Sequence, residues 1–268
     1  MDTIQNNVNE AIASLNAIKD KIVEKGVDVA EGTKTRLYAN KVDDVYEAGK
    51  KAEYDKMWDV LQPEGITYYN SKFNGQNFNF DNFYPKRDIR PVGNASQIFY
   101  AWEIGNCRGD FKARLEECGV VLDTSQATNL GMAFNYSHMD NLPIIDCTGL
   151  TTDCNSVFAN SWGDLKTIEK IILKDTVKCT NWFTNATGLE NVIFEGTIGE
   201  NGLNVSYCKK LSAISLESII NTLSATTTTT GLTVTLPSTA EANYDAVKGA
   251  GAWDSLVATR SNWTIAYA

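Results

Sequence analysis

The chain has few of the residues from which most active sites are built. Its 268 residues include a single histidine, His138, in the turn Ser137-His138-Met139, and no serine or cysteine near it sits in a nucleophile motif. A lone histidine in a turn is expected to be solvated rather than catalytic. The six cysteines (107, 118, 147, 154, 179 and 208) form no Cys-x-x-Cys pair and no zinc-ligand spacing with that histidine. They read as reduced, structural thiols, most of them suited to buried positions. With 24 basic against 33 acidic residues the net charge is −9, and Lys and Arg occur only as scattered pairs. That excludes a phosphate-binding face, and with it a nucleic-acid partner. No apolar run approaches the roughly 20 residues that span a bilayer, so no membrane insertion is expected. The N-terminal Met1-Asp2-Thr3-Ile4-Gln5-Asn6-Asn7 lacks the basic-then-apolar order of a secretory signal, which implies synthesis in the cytoplasm without a signal peptide.

Chemical motifs are missing too. There is no Walker A loop, dinucleotide fingerprint, EF-hand loop or Asp-rich calcium repeat. Asp123 and Asp146 each follow an apolar triplet by one residue, so they are expected one above the other on a surface. A glycosidase needs two carboxylates facing across about 5 to 9.5 Å of cleft, which stacked equivalents do not make. The sequence therefore offers no catalytic, cofactor-binding or metal-ligating residue, and the expected protein is not an enzyme.

What the sequence does have is a period. Leu122, Ile145, Leu173, Phe194, Leu216 and Leu236 each close a short apolar triplet, at spacings of 23, 28, 21, 22 and 20 residues. Phe134, Phe158, Phe183 and Val205 follow the first four of these anchors after 10 to 13 residues, and Leu142, Leu165, Leu189 and Leu211 after another 6 to 8. Three landmarks in one order, four times over, predict a leucine-rich-repeat-like β-solenoid over residues 120–236, each triplet a short parallel strand. Asn135, Asn160, Asn185 and Gly188 fall where the chain must bend, since Asn tolerates the left-handed region. The Asn-x-Ser/Thr triplets at Asn135, Asn185, Asn204 and Asn262 read as turn chemistry, not as glycosylation sites.

Residues 1–62 read as a helical attachment arm. Ile4, Val8, Ala11, Leu15, Ile18 and Ile22 step by 4, 3, 4, 3 and 4, a heptad seam. The seam suits either an oligomerisation stalk, with a trimer favoured, or a helix folded back on its own body. Gly26 ends that helix, and a second runs from about Lys41 to Leu61, its apolar face interrupted at Gly49. Residues 63–119 follow the helix-breaking Pro63-Glu64-Gly65. Here Tyr68, Tyr69, Phe73, Phe78, Phe80, Phe83 and Tyr84 alternate with Asn70, Asn74, Asn77, Asn79 and Asn82. The stretch reads as a cap over the first turn of the solenoid. Its alternative is a carbohydrate-binding platform of Tyr68, Tyr69, Phe73, Phe78 and Phe80. Asp110 to Cys118 reads as a short helix closed by Gly119, with Phe111 and Leu115 inward. After the repeats, Leu216 to Leu223 reads as a short helix. The C-terminal cap over residues 237–268 consists of short helices at Ala240–Val247 and Trp253–Thr259 and a last strand from Trp263 to Tyr267.

A resemblance accompanies these patterns. The Leu15-x-x-Ile18-x-x-x-Ile22-x-x-Lys25-Gly26 helix and the Ala39-x-x-Val42-x-x-Val45 helix resemble the N-terminal segment of phage and prophage tail or minor structural proteins. The segment Val45 to Asp59 is similar to one that often precedes leucine-rich repeats in that group. Ala133-Phe134 and Cys208-Lys209-Lys210-Leu211 resemble BspA-like leucine-rich repeats, although the unit length varies and an isoleucine-proline signature after the strand is missing. The order Ser218 to Ser224, Val234-Thr235-Leu236, Trp263-Thr264-Ile265 looks like the C-terminal cap of the same proteins. The resemblance implies a virion structural protein of the phage tail, with other tail or virion proteins and a host cell-surface glycan or protein as partners, and no cofactor. A bacterial surface leucine-rich-repeat adhesin is the alternative, and a tail-borne glycan hydrolase is a third and weaker one. The expected class is α+β: a helical arm, then an irregular solenoid of short parallel strands between two caps.

Overall fold

A computed structural model describes residues 17, 20–24, 56, 58–73, 83–100, 109–225 and 231–268. The chain divides into two compact units, Met1–Val60 and Leu61–Ala268. In the first, Ala17, Asp20–Glu24, Lys56 and Trp58–Val60 are helical, with Ile22 buried. The seam residues Ile4, Val8, Ala11, Leu15 and Ile18 lie outside the described residues, as does Gly26.

The second unit is mixed α/β, with short parallel strands in small sheets. In chain order its elements are β1 (Gly93–Asn94), α1 (Phe111–Cys118), β2 (Ala127–Asn129), β3 (Asn141–Asp146), β4 (Thr167–Leu173), β5 (Asn191–Gly196), α2 (Ala213–Thr222), β6 (Leu232–Leu236), α3 (Ala240–Lys248), α4 (Ala252–Val257), a 3₁₀ turn (Ala258–Arg260) and β7 (Trp263–Tyr267). β1 pairs with β2, β3–β4–β5 form the central sheet, and β6 pairs with β7, all in parallel. Among the described residues no sheet closes into a barrel and no helix is long and apolar enough to cross a membrane.

Three rows of equivalent residues build the core. In the central sheet Ile145 pairs with Ile171 and Ile171 with Phe194. The anchor expected at Leu173 is therefore two residues out, since Leu173 lies opposite Gly196. The β3–β4 pairing alone settles this, because its regular register sets Ile145 against Ile171; the β4–β5 register then shifts by one residue between Ile168 and Ile171 and brings Phe194 into line. A second row runs through phenylalanine. Phe73, Phe99, Phe134, Phe158 and Phe183 are stacked with ring centroids 5.4, 5.3, 5.6 and 5.4 Å apart, and all are buried. The third row is Met139, Leu165, Leu189 and Leu211, aligned by the bonds Lys166 N–H to Asp140 O, Glu190 N–H to Lys166 O and Ser212 N–H to Glu190 O. Met139 holds the place expected for Leu142, which lies inside β3 opposite Ile168.

The phenylalanine row is held by backbone as well as by rings. Gln97 and Phe99 donate to the carbonyls of Gly131 and Ala133. Met132, Phe134 and Tyr136 donate to Asn155, Val157 and Ala159, and Ser156, Phe158 and Asn160 to Thr180, Trp182 and Thr184. Every second N–H thus satisfies the next segment, in a stretch that is not a strand. The intervening N–H groups close local turns, as from Ala133 to Leu130 and from Asn135 to Met132. This path needs left-handed residues at regular places: Tyr136, Asn160 and Asn185 have φ of 59°, 54° and 60°. The bend expected at Asn135 belongs to Tyr136, one residue on.

The helices end the central sheet. α1 begins at Asp110, whose carboxylate accepts from Ala113 N–H, ends at Gly119 with φ 66°, and turns Phe111 and Leu115 inward as expected. α2 contains Leu216, in agreement with the helix expected over Leu216 to Leu223 and against its reading as a strand anchor, and it lies against β5. Its hydroxyls bond the open strand edge: Ser215 Oγ accepts from Val192 N–H at 2.9 Å and Ser218 Oγ from Phe194 N–H at 3.2 Å, while Thr222 Oγ1 donates to Phe194 O at 3.2 Å. The last section follows the expected order of strand, two helices and strand. The guanidinium of Arg260 donates to the carbonyls of Asn221 and Leu223, satisfying the C-terminal end of α2.

Phe158 sits in the middle of the stacked row, between Phe134 and Phe183 and beside Trp182. Phe158→Ala is expected to lower the unfolding free energy by about 3–5 kcal/mol through lost burial and a residual cavity. Urea denaturation followed by circular dichroism measures it; a loss below about 1 kcal/mol would show that the row is not core.

Candidate functional site

Of the five aromatic residues expected as an alternative ligand platform, two offer no exposed ring. Tyr69 and Phe73 are fully buried, and Phe73 opens the stacked phenylalanine row. Tyr69 Oη accepts from Gln62 Nε2 at 3.4 Å, and burial raises its pKa. Both are core residues, because the backbone bonds from Ser71 and Phe73 to Ser96 and Ile98 continue the row and turn these side chains inward. Tyr68 is 63% exposed. Phe78 and Phe80 lie outside the described residues.

The paired aspartates serve the backbone. Asp123 Oδ1 accepts from the Ser125 hydroxyl at 2.7 Å and from its N–H at 3.1 Å, and Oδ2 takes Arg90 Nη1 at 2.6 Å. Asp146 Oδ1 accepts in the same way from the Thr148 N–H and hydroxyl. The bond from the Ser125 hydroxyl, more than any other contact, holds the Asp123 carboxyl below its usual pKa. A carboxylate so held is a turn cap and an ion-pair partner, not a proton donor.

Beside Asp123 is a cavity of about 400 Å³, lined by Arg90, Lys112, Leu115, Leu122, Ile144 and Glu169 among others. It opens where the regular pairing fails. Leu122 bridges Ile89 in parallel, but its link to β3 is carried by one side chain, Thr124, whose hydroxyl donates to Asp146 O and accepts from Asp146 N–H, both at 2.8 Å. Its lining combines apolar side chains with two ion pairs, Arg90 with Asp123 and Lys112 Nζ with Glu169 at 3.0 Å.

A second feature lies a few residues beyond Phe134 and Phe158, beside the middle of the phenylalanine row. His138 Nδ1 bonds Asp164 Oδ2, and the imidazole stacks on Trp162 with centroids 6.3 Å apart at 25°. Tyr136 meets Trp162 edge-on at 5.5 Å, and Tyr100 meets Tyr136 at 6.0 Å. Trp162 is 41% exposed, whereas Trp182, 20 positions later, is buried with its Nε1–H donated to Cys154 O at 2.7 Å. The histidine expected to be solvated is thus held by a partner 26 residues away, and no motif in the sequence links them.

The chain matches no family model, no curated protein and no solved structure. What these sites can do is therefore argued from their chemistry alone. Among the described residues no three His, Cys, Asp or Glu side chains gather as a metal site. Cys147, Cys154, Cys179 and Cys208 are buried free thiols, and burial pushes all four up, Cys208 to about 12, which makes them poor nucleophiles.

The depressed Asp123 carboxyl has a consequence for acid stability. Its contribution is complete above the unfolded-state pKa of about 3.9 and is lost as pH falls through the lower folded-state value. Asp123→Asn is therefore expected to flatten the fall in stability between about pH 5 and 2. Denaturant midpoints across that range test it; a slope equal to wild type would remove Asp123 from the acid response.

Proposed function

We propose that the chain is a non-enzymatic, tail-associated structural protein of a phage or prophage, in which residues 120–236 form an irregular leucine-rich-repeat-like solenoid that presents a recognition surface. The observation that carries the solenoid is the five-ring phenylalanine row with its matching backbone bonds. Such a row gives each segment contacts chiefly with its neighbours, as stacked repeats require. The chemistry of the described side chains favours binding over catalysis. The two aspartates that invited a hydrolytic reading cap turns, and the buried thiols are held protonated.

In this reading the N-terminal helices attach the protein to other virion proteins or to copies of itself, as a trimer by preference, and the solenoid meets a host-surface glycan or protein. The tail assignment rests on sequence resemblance in the N- and C-terminal segments; the recognition role rests on the exposed corners of the rows. Antibody to the full chain is expected to decorate the tails of particles released from cells that carry the gene, seen by immunogold microscopy. Label confined to the cell surface, or absent from particles, would overturn the tail assignment. Sedimentation equilibrium of the full chain checks the attachment arm separately: an assembly of three copies is expected, and a single-chain mass would show that the seam does not drive self-association.

A further inference from the structure

We infer that Trp162, Tyr136 and Tyr100, with His138 beside them, form a stacking platform for a neutral carbohydrate, a ligand class that gives the recognition role above a definite site.

The first ground is that these rings stand where the fold does not ask for them. Tyr136, Asn160 and Asn185 are equivalent positions, each left-handed, since their backbones bond in register from row to row. Asn is the non-glycine residue best suited to that conformation, and two of the three positions have it. The asparagines also bond each other along the rows: Asn185 Nδ2 donates to Asn160 Oδ1 at 2.8 Å and Asn160 Nδ2 to Asn135 Oδ1 at 3.1 Å. A tyrosine at 136 forgoes the favoured residue. Trp162 goes further, with a bulky side chain at φ 42° and 41% exposure. Both rings replace the small polar residue of the neighbouring corners, and the indole stays largely at the surface, which suits function better than folding.

The second ground is that the corner is rigid. Gly188 N–H donates to Trp162 O at 2.6 Å, and a Cβ on Gly188 would lie 2.5 Å from Gly163 O. The next row therefore presses directly on the Trp162-Gly163 backbone and holds it in place. Tyr136 and His138 flank that ring, so little ordering is left for binding to impose.

The ligand class follows from the groups at the edge of the rings. Asp164 accepts from His138 Nδ1–H, which leaves Nε2 as the other polar atom of the imidazole, an acceptor in that tautomer. A sugar hydroxyl can donate to it. A proline-rich peptide, which also stacks on aromatic rings, offers carbonyl acceptors and lacks N–H at its prolines, so its prolines have no donor for Nε2. The carboxylate of Asp164 and the net charge of −9 oppose anionic glycans and nucleic acid. What remains is a neutral pyranose, with an apolar C–H face for the rings and a hydroxyl rim for the imidazole.

The test is a glycan array probed with the full chain, followed by calorimetric titration of the best neutral oligosaccharide. Two variants carry it, Trp162→Asn and Tyr136→Asn, each of which places the conformationally favoured residue at a left-handed position. Wild type is expected to retain neutral glycans. Trp162→Asn should weaken binding by about tenfold or more, as loss of a central aromatic anchor does, with a melting temperature no lower than wild type. Tyr136→Asn should weaken binding less, again with a melting temperature no lower than wild type. Three results would each overturn the platform: no neutral glycan retained, equal binding by Trp162→Asn, or preference for anionic glycans or proline-rich peptides. Tail labelling by antibody would stand through any of them, so failure of the glycan site and failure of the tail assignment are separable.

Discussion

The structure depends on one constraint: a buried backbone N–H or C=O must find a partner, and along the phenylalanine row and the central sheet the partner lies in the neighbouring row. Phe99 reaches Ala133, Phe134 reaches Val157 and Phe158 reaches Trp182, at 2.8, 2.8 and 3.0 Å. Two segments can exchange such bonds over several residues only if they follow the same path, so the constraint copies one backbone shape from row to row. Like then falls on like. Phenylalanine stacks on phenylalanine at 5.3 to 5.6 Å along the row, close to the spacing of paired backbones, and each ring fills the layer its neighbours leave. The same closeness demands glycine where backbones touch. A Cβ on Gly196, whose φ is 90°, would lie 1.9 Å from the carbonyl oxygen of Leu173.

A row built this way must also stop, and the two edges of the central sheet stop differently. At β5 the helix α2 substitutes for a strand. Ser215, Ser218 and Thr222 present hydroxyls at helical spacing to a strand edge that would otherwise be open, and Leu216, Ile219 and Ile220 cover its apolar side. At β3 Thr124 bridges the gap to Asp146, and α1 wedges beside it, its capping Asp110 accepting from Asn141 Nδ2 at 2.7 Å. The cavity at Leu122 and Ile144 is what the weaker closure leaves, and the ion pairs of Arg90 and Lys112 line it.

Legibility in the sequence followed residue type. The phenylalanines of the middle rows could be read because few other aromatic residues compete at that spacing. Phe99 falls outside the period because α1 lies between it and Phe134, stretching the interval to 35 residues, and Phe73 reads as part of a cap, with a ligand platform as the alternative. The strand anchors were ambiguous for the opposite reason. β4 contains Ile168, Ile171, Ile172 and Leu173, and only the register with β3 and β5 identifies Ile171 as the equivalent. Leu216 misled because Ile-Ser-Leu fits a strand triplet as well as a helical turn, and the serine that decides between them acts through a bond to Val192. The candidate site was nearly invisible. His138, Trp162 and Asp164 come together only through packing between rows, and no spacing rule for catalytic or metal-binding residues covers that juxtaposition.

The division between what can vary and what cannot has an energetic basis. Interior residues such as Phe158 are fixed by several kcal/mol of burial and by two stacked neighbours, so change there costs about 3–5 kcal/mol. A left-handed corner is different. Replacing its favoured Asn with another L-residue costs roughly 1–2 kcal/mol and disturbs no neighbour when the side chain points to water. Corners are therefore the cheapest places on this backbone to install a new side chain, and they recur at each row, close to one another. Tyr136 and the exposed Trp162 occupy such corners beside Asn160, and their rings touch because row spacing brings them within 5.5 Å. An aromatic surface can thus be assembled on this fold one corner at a time, without altering the rows beneath it.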